Sequence, residues 1–311
     1  MNTRRIGSLE VSVVGLGCNN FGWVIDQDAS ARVVHAALDA GITLFDTADI
    51  YGGTESEVFL GRALAGRRQQ AIVATKFGMR VDAERQGASP KYVRRAAEDS
   101  LRRLGMDRID LYQLHQPDPA VPIAETLGAL DELVREGKVR EIGCSNFSGT
   151  QLREAAAGHG KGVAFASVQN EFSLLHREPE REVLSECARL GVAFIPFFPL
   201  ASGLLTGKYQ PRDPAPAGTR LAQDWAAGRF FTDDKRAIAG ALATWAKAHG
   251  HSLLELAVSW LASHQVVASV IAGATSPEQV RLNAAAAVWR LSDADLSEID
   301  RIAPLKAAAS Q

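Results

Sequence analysis

The sequence predicts an α/β fold with a parallel sheet, and the architecture that best fits its length is a (β/α)8 TIM barrel. Along the 311 residues, eight short apolar segments alternate with longer amphipathic ones, and polar side chains stand where several apolar segments end. Strand–helix units of roughly 30 residues imply right-handed crossovers and a parallel sheet. A closed barrel needs about 250 residues, although an open doubly wound sheet would show the same alternation.

The eight apolar segments are the predicted strands. Most are apolar throughout instead of alternating, which is typical of parallel strands covered on both faces. They comprise residues 13–18, 43–47, 72–76, 109–115, 141–145, 167–170, 192–197 and 269–273.

The segments between the strands have helical spacing and recognisable ends. Ser89 and Pro90 open one helix, which runs to Leu104, where Gly105 is suited to a left-handed cap. Helices of this kind are predicted at residues 28–40, 90–104, 123–138 and 179–190.

Two additions to a minimal barrel are visible. Residues 4–12 precede the first strand and predict a β-hairpin, with Gly7 and Ser8 as its turn, that plugs the barrel floor. Residues 201–231 form a long loop after the seventh strand, and loops of that length tend to be functional. Since no linker or composition shift divides the chain, we expect residues 1–311 to form a single domain.

Composition argues against several classes of partner. A formal charge of −2 without a basic run argues against nucleic acid or an anionic membrane as partner. No apolar stretch approaches the roughly 20 residues that span a bilayer, and the N-terminus lacks an apolar signal core, so we expect a cytoplasmic protein. Cys18, Cys144 and Cys187 contain no CxxC pair, which disfavours disulfides and a thiolate metal site. The sequence leaves the oligomeric state open.

Polar residues follow the predicted strands at equivalent positions. Asp46, Lys76 and His115 end three of them, and Ser145–Asn146 and Gln169 end two more. In a (β/α)8 barrel all these ends open on one face, where such enzymes place their active sites. One buried polar residue is ordinary packing, but five in a row indicate a site.

The residue types at these ends suggest carbonyl reduction. A buried Lys76 needs a partner such as Asp46, and its ammonium would lower the pKa of Tyr51, making that phenol a usable general acid. His115 could orient a substrate carbonyl or relay a proton. Because no side chain supplies hydride, a cofactor must do so.

At these residues the sequence resembles the aldo-keto reductase superfamily, in particular the branch similar to potassium-channel β subunits and bacterial aldo-keto reductases. The resemblance covers essentially the whole chain, and several long motifs occur in the family's order. These motifs are GITLFDTADIYGGTESEVFLGRAL, ATKFG, DLYQLHQPD, IGCSNFS, VQNEFSLL, FFPLASGLLTGKY and GATSPEQVRLN.

The resemblance implies a barrel that binds NADP(H), with NAD(H) also possible, and that acts on a small carbonyl or alcohol substrate without a metal. Asp46, Tyr51, Lys76 and His115 match the catalytic tetrad, with Tyr51 as proton donor. Trp23, together with Tyr51 and His115, would contact substrate. The cofactor-binding positions are Gly22, Asp46, Ser145, Asn146, Gln169, Phe197, Phe198, Pro199, Leu200, Ser202, Lys208, Arg220, Gly273, Thr275, Gln279 and Asn283.

Departures from the family pattern affect the cofactor. Phe198 replaces a usual serine, Leu282 replaces a glutamate that pairs with the adenine amine, and positions 275, 276 and 279 lack a basic residue for a 2′-phosphate. Arg220 could supply that charge, so NADPH is the predicted cofactor.

Other interpretations remain at this stage. The segment VVGLGCNNFG imitates a dinucleotide-binding fingerprint, but the next helix begins too late to meet a phosphate. His249 and His251 imitate a metal-binding pair, but surface histidines at a helix end are the favoured interpretation. A solvated charged face beside Glu98 and Asp99 is the interpretation of Asp107, Asp110 and the arginine pairs at 94–95 and 102–103. In place of an enzyme, the same fold could be a cofactor-sensing regulatory protein. The substrate pocket is expected to be apolar, with Trp225 and Phe230 among its lining.

Overall fold

The chain begins with an antiparallel hairpin, as the sequence predicts. Strand β1 (Thr3–Ile6) pairs with β2 (Leu9–Ser12), and residues 7–8 form the turn. Apolar hairpin side chains join a buried cluster with residues from the barrel strands, and the Ser8 amide donates to Glu141 Oε1 at 2.8 Å. The hairpin therefore closes the floor of the barrel. The computed structural model describes residues 1–209, 214–215 and 218–306.

Eight parallel strands form the barrel, in the spatial order β10-β3-β4-β5-β6-β7-β8-β9. A parallel bridge between Phe194 and Val267 brings β9 to the segment that leads into β10. The sheet therefore nearly closes on itself, and the open-sheet alternative is wrong. The strands are β3 (Val14–Gly17), β4 (Leu44–Asp46), β5 (Ile72–Phe77), β6 (Ile109–Leu114), β7 (Val139–Ser145), β8 (Ser167–Glu171), β9 (Ala193–Phe197) and β10 (Val270–Gly273).

Helices cover the outside of the barrel. Gly105 ends α3 in the left-handed conformation, with φ of 62°, as predicted. The helix expected at residues 179–190 is split, because the non-helical φ of −148° at Glu182 separates a short 3-10 turn from α6. The helices are α1 (Gln27–Asp39), α2 (Glu55–Ala63), α3 (Pro90–Leu104), α4 (Ile123–Arg135), α5 (Gly149–Gly158), α6 (Val183–Leu190), α7 (Asp224–Phe230), α8 (Asp233–Ala248), α9 (Leu253–Ser263), α10 (Pro277–Ala285) and α11 (Asp293–Ile302).

The long segment after β9 is partly helical. It contains 3-10 turns at Ala201–Thr206 and Arg220–Ala222, followed by α7. Residues 210–213 and 216–217 of the segment, which include Pro211 and Pro216, lie outside the described residues. Among the helices that the structure describes, none is long and apolar enough to cross a membrane.

The interpretation of a solvated charged face is wrong for two residues. The Arg103 side chain is 17% exposed and pairs with the fully buried Glu57. Asp110 is 2% exposed, and its carboxylate accepts from Arg68 and Arg140. Both charges are held in ion pairs because neighbouring elements cover them, which a sequence pattern does not reveal.

Candidate active site

A buried ion pair lies at the carboxyl ends of β4 and β5. Lys76 Nζ donates to Asp46 Oδ2 at 2.6 Å and to the Thr47 carbonyl at 2.8 Å. The Lys76 and Asp46 side chains are only 0% and 4% exposed. Burying both charges is tolerable because each has a charged partner and further hydrogen bonds.

Two amides fix the other carboxylate oxygen of Asp46. Gln113 Nε2 and Gln169 Nε2 donate to Asp46 Oδ1 at 3.2 and 2.8 Å. The sequence analysis did not identify Gln113. It lies two positions before His115 on β6, and alternate residues of a strand share a face, so that spacing could have revealed it.

Tyr51 reaches the same opening from the turn after β4. Its ring centroid lies 5.7 Å from that of His115 and 5.1 Å from Lys76 Nζ. This turn approaches the loop after β3 so closely that a Cβ at Gly52 would meet the Phe21 carbonyl oxygen at 2.4 Å. The structure thus brings the four predicted catalytic residues together.

The expected lowering of the Tyr51 pKa is not observed in this structure. Burial raises the pKa of Tyr51 above its ordinary value, and the Asp46 charge adds to that effect. The charge of Lys76 lowers the pKa, as expected, but it does not outweigh burial. Tyr51 is therefore a neutral phenol at neutral pH and still carries the proton it would donate.

The pKa values of Lys76 and His115 are shifted in opposite directions. Burial by itself lowers the pKa of Lys76, but the attraction of Asp46 and Tyr51 holds it above its ordinary value. Burial is the main cause that holds the pKa of His115 well below its usual range, and the positive charge of Lys76 lowers it further. At neutral pH the site therefore contains an ammonium beside a neutral imidazole.

Three predicted cofactor residues extend this network along the barrel rim. Ser145 Oγ donates to the Gln169 carbonyl at 2.7 Å, and Asn146 Nδ2 donates to the His115 carbonyl at 2.9 Å. Asn146 has a φ of 62°, an uncommon conformation for a residue other than glycine. The three residues therefore lie beside the predicted tetrad.

The segment after β9 is locally strained. Phe198, Ala201 and Ser202 all have positive φ, at 49°, 46° and 56°. Such conformations persist only where surrounding structure imposes them, and they cluster at functional sites. Ser202 Oγ is buried without a hydrogen-bond partner among the described residues, so this hydroxyl fits a polar ligand. Phe197 is half-buried, Pro199 and Leu200 are buried, and Lys208 is exposed.

The remaining predicted cofactor-binding residues lie around β10 and α10. Arg220 donates to Asn20 Oδ1, and Asn20 Nδ2 donates to the Ala274 carbonyl at 3.2 Å. Asn20, which the sequence analysis had not selected, thus connects Arg220 to the loop that contains Thr275. The other residues predicted here are exposed Gly273 and Gln279 and buried Asn283.

The aromatic residues expected around the pocket differ in exposure. Trp23 is 59% exposed, and its ring lies 6.0 Å from that of Tyr51. Gly22 is exposed beside it. Trp225 is 52% exposed, whereas Phe230 is 2% exposed and packs edge-on against Phe198. Phe230 therefore belongs to the core instead of the expected pocket lining.

The two histidines of the metal-like pair stack on tryptophans. The His249 ring lies 4.1 Å from that of Trp245, and the His251 ring lies 4.0 Å from that of Trp289. Within the described residues, no group of three or more His, Cys, Asp and Glu side chains is arranged to hold a metal ion.

The protein is a (β/α)8-barrel enzyme in its class, because a buried ion pair and a phenol lie together at the carboxyl-terminal face of the barrel. The chain belongs to the aldo/keto reductase family, whose profile matches residues 13–304, and it is an oxidoreductase. A probable aldo-keto reductase 1 from Glycine max is 34% identical over 305 residues, covering 95% of this chain and 86% of that protein. A glycerol dehydrogenase from Gluconobacter oxydans has a similar structure, with a TM-score of 0.85 and 31% identity, covering 99% of this chain and 98% of that one.

Proposed function

We propose that this protein is an NADP(H)-dependent aldo-keto reductase that interconverts an aldehyde or ketone and the corresponding alcohol. The observation that carries the proposal is the buried Lys76–Asp46 pair with the rings of Tyr51 and His115 beside it. When bound, the dinucleotide supplies the hydride that no side chain provides.

In the proposed reaction, Tyr51 donates its proton to the carbonyl oxygen. The phenolate that remains lies near the ammonium of Lys76, which stabilises the new negative charge. His115 is neutral, so it orients the carbonyl through a hydrogen bond instead of supplying the proton. Asp46, held by three donors, keeps Lys76 in place. The carbonyl carbon gains hydride and the oxygen gains a proton, which gives the alcohol.

Ser145, Asn146 and Gln169 are proposed to hold the nicotinamide carboxamide, with Phe197 against the ring. Their support is their position beside the tetrad. Ser202 and the strained segment after β9 would face the pyrophosphate, a role that its unpartnered hydroxyl supports. The proposed contacts extend to Gly22, Phe198, Pro199, Leu200, Lys208, Gly273, Thr275, Gln279 and Asn283.

The decisive test replaces the proton donor. Tyr51→Phe should reduce turnover of an aromatic aldehyde by about 100- to 10,000-fold, the usual contribution of a general acid. Binding of NADPH, followed by fluorescence titration, should change little. Tyr112→Phe is the matched control, because Tyr112 is buried on the face of β6 opposite to Gln113 and its hydroxyl donates to the Val93 carbonyl at 3.5 Å. Equal NADPH oxidation by wild type and Tyr51→Phe would refute the reductase and favour a cofactor sensor.

Preference for NADPH over NADH is proposed to come from Arg220. Its side chain is positioned by Asn20 near the loop after β10. An arginine–phosphate contact contributes roughly 1.5–3 kcal/mol, so Arg220→Gln should lower the NADPH-to-NADH ratio of kcat/KM by about 10- to 100-fold. Comparable wild-type efficiency with both cofactors would contradict the proposed preference.

A further inference from the structure

A pair of buried acidic residues lies behind the turn that carries Tyr51. Asp49 is 3% exposed and Glu57 is fully buried. Both carboxylate oxygens of Glu57 are satisfied, because Arg103 Nε donates to Oε2 at 2.6 Å and Thr75 Oγ1 donates to Oε1 at 2.5 Å. The single guanidinium of this cluster is therefore already committed to Glu57.

Asp49 has no comparable partner. Among the described residues, no ion pair includes its carboxyl and its Oδ1 is buried without a hydrogen bond. The Ile50 amide is the hydrogen-bond donor that acts on this carboxyl. Its backbone is firmly placed: the Asp49 amide donates to the Lys76 carbonyl at 3.0 Å, and the Tyr51 amide donates to the Ala48 carbonyl at 3.2 Å. The carboxyl group and Tyr51 therefore belong to one short turn that is tied to the strand of Lys76.

The charges at this cluster do not balance when both acids are ionised. Burial and the neighbouring Glu57 charge raise the pKa of Asp49 to about 7, although Arg103, the Ile50 amide and Lys76 act in the opposite direction. Asp49 thus exchanges its proton near neutral pH. The titratable and charged groups that act on it or face it are Glu57 of α2, Tyr92 and Arg103 of α3, Lys76 of β5 and Tyr112 of β6.

Ionisation has a mechanical consequence at this position. A carboxylate that is buried beside a second carboxylate without its own cation is costly, so the ionised group is drawn toward water or Arg103. Because Asp49 lies inside the turn, that movement also displaces Tyr51. The neutral carboxyl has no such requirement and leaves the turn in place.

We propose that Asp49 is a positioning residue: its neutral carboxyl leaves Tyr51 in its working place, and its ionisation displaces the Tyr51 turn. The effect on rate rests on the proposed reductase function, whereas the ionisation and the movement do not. Asp49 does not contact the reacting atoms; it acts through the turn and through the strand of Lys76.

The first experiment compares pH profiles of wild type and Asp49→Asn, an isosteric substitution that stays neutral. A single ionisation near 7 predicts that wild-type kcat/KM falls by about 20-fold between pH 6.5 and 8.5. Asp49→Asn should change by less than about two-fold over that range. Asp39→Asn, at an exposed carboxylate far from the site, should keep the wild-type profile. Identical profiles for wild type and Asp49→Asn would overturn the proposal.

Two further measurements do not depend on turnover. The infrared difference spectrum between wild type and Asp49→Asn should show a protonated carboxyl at pH 6 that disappears by pH 8. The fluorescence of Trp23, isolated by subtracting Trp23→Phe, should change over the same range, because its ring lies 6.0 Å from that of Tyr51. A carboxyl that is already ionised at pH 6, or unchanged Trp23 fluorescence, contradicts the proposal.

A second variant should change the pH at which Asp49 ionises instead of removing that ionisation. Glu57→Gln removes the competing carboxylate and leaves Arg103 available to Asp49, so the infrared transition and the alkaline fall in rate should both shift to lower pH. If neither the wild type nor any variant reduces a carbonyl compound while the infrared and fluorescence transitions occur as expected, the proposed function is wrong. The proposed ionisation of Asp49 and the movement of the Tyr51 turn are then still supported. If turnover is normal and the transitions are absent, the proposal about Asp49 alone fails.

Discussion

Replacing Lys76 by methionine tests both the stability and the chemistry of the site. Methionine keeps much of the apolar stem but removes the ammonium that donates to Asp46 Oδ2 at 2.6 Å and to the Thr47 carbonyl. Removing one partner of a buried ion pair costs about 3–5 kcal/mol, because the remaining charge stays out of water. The loss should fall near the lower end, about 3 kcal/mol, because Gln113 and Gln169 still donate to Oδ1.

The assay is equilibrium unfolding in urea at pH 7, with cofactor-free protein. The control is the double variant Lys76→Met/Asp46→Asn, which removes the uncompensated charge and should recover at least half of the loss. A loss below about 1 kcal/mol for the single variant, or a double variant less stable than the single one, would show that no uncompensated charge is left buried at Asp46.

The same variant also tests the role of Lys76 in proton donation. Lys76 opposes the rise in the Tyr51 pKa that burial causes, so its removal raises that pKa further and leaves the phenolate without a nearby cation. The turnover of Lys76→Met at neutral pH should therefore be reduced, as it is expected to be in Tyr51→Phe. Wild-type turnover in Lys76→Met would show that Lys76 has no part in proton donation.

Two more predictions follow from the neighbours of this pair. Gln113→Glu places a second carboxyl beside Asp46, so the free energy of unfolding that this variant loses should grow between pH 5 and pH 8. Gln113→Leu should lose only about 1–2 kcal/mol at both pH values. If urea unfolding showed the same pH dependence for the two variants, this prediction would be wrong. Because the pKa of His115 is held below its unfolded value of roughly 6.5, the unfolded chain binds the proton and stability falls as pH drops below that value. His115→Gln should remove up to about 2 kcal/mol of the loss between pH 7 and 5, and an unchanged acid response would contradict it.

Much of the barrel was predictable because its signals are local. Each barrel strand is a short apolar run, and the predicted bounds agree with the structure to within about two residues. Gly105 marks the end of α3 because glycine adopts the left-handed conformation without a steric penalty. The split before α6 was missed, since a single residue with a non-helical φ at 182 leaves no signature in the apolar pattern.

The candidate site was predictable for a related reason. Parallel strands in a barrel point the same way, so residues at their carboxyl ends converge wherever they lie in the chain. This rule selected Asp46, Lys76 and His115 from position alone. Tyr51 was selected because it lies in the loop directly after Asp46 and can reach the same opening. The rule did not select Gln113, which lies two positions before His115 and meets Asp46 across 67 residues of sequence.

The order of the elements, the ends of the strands and the residue types at the barrel mouth can be read from the sequence, because these features depend on neighbours in the chain. The direction of the Tyr51 pKa shift, the pairing of Glu57 with Arg103 and the raised pKa of Asp49 follow from the three-dimensional packing. Those properties depend on how much water packing removes and on which charges distant helices bring together. Desolvation is a sum over neighbours in space, and a sequence pattern does not contain that sum.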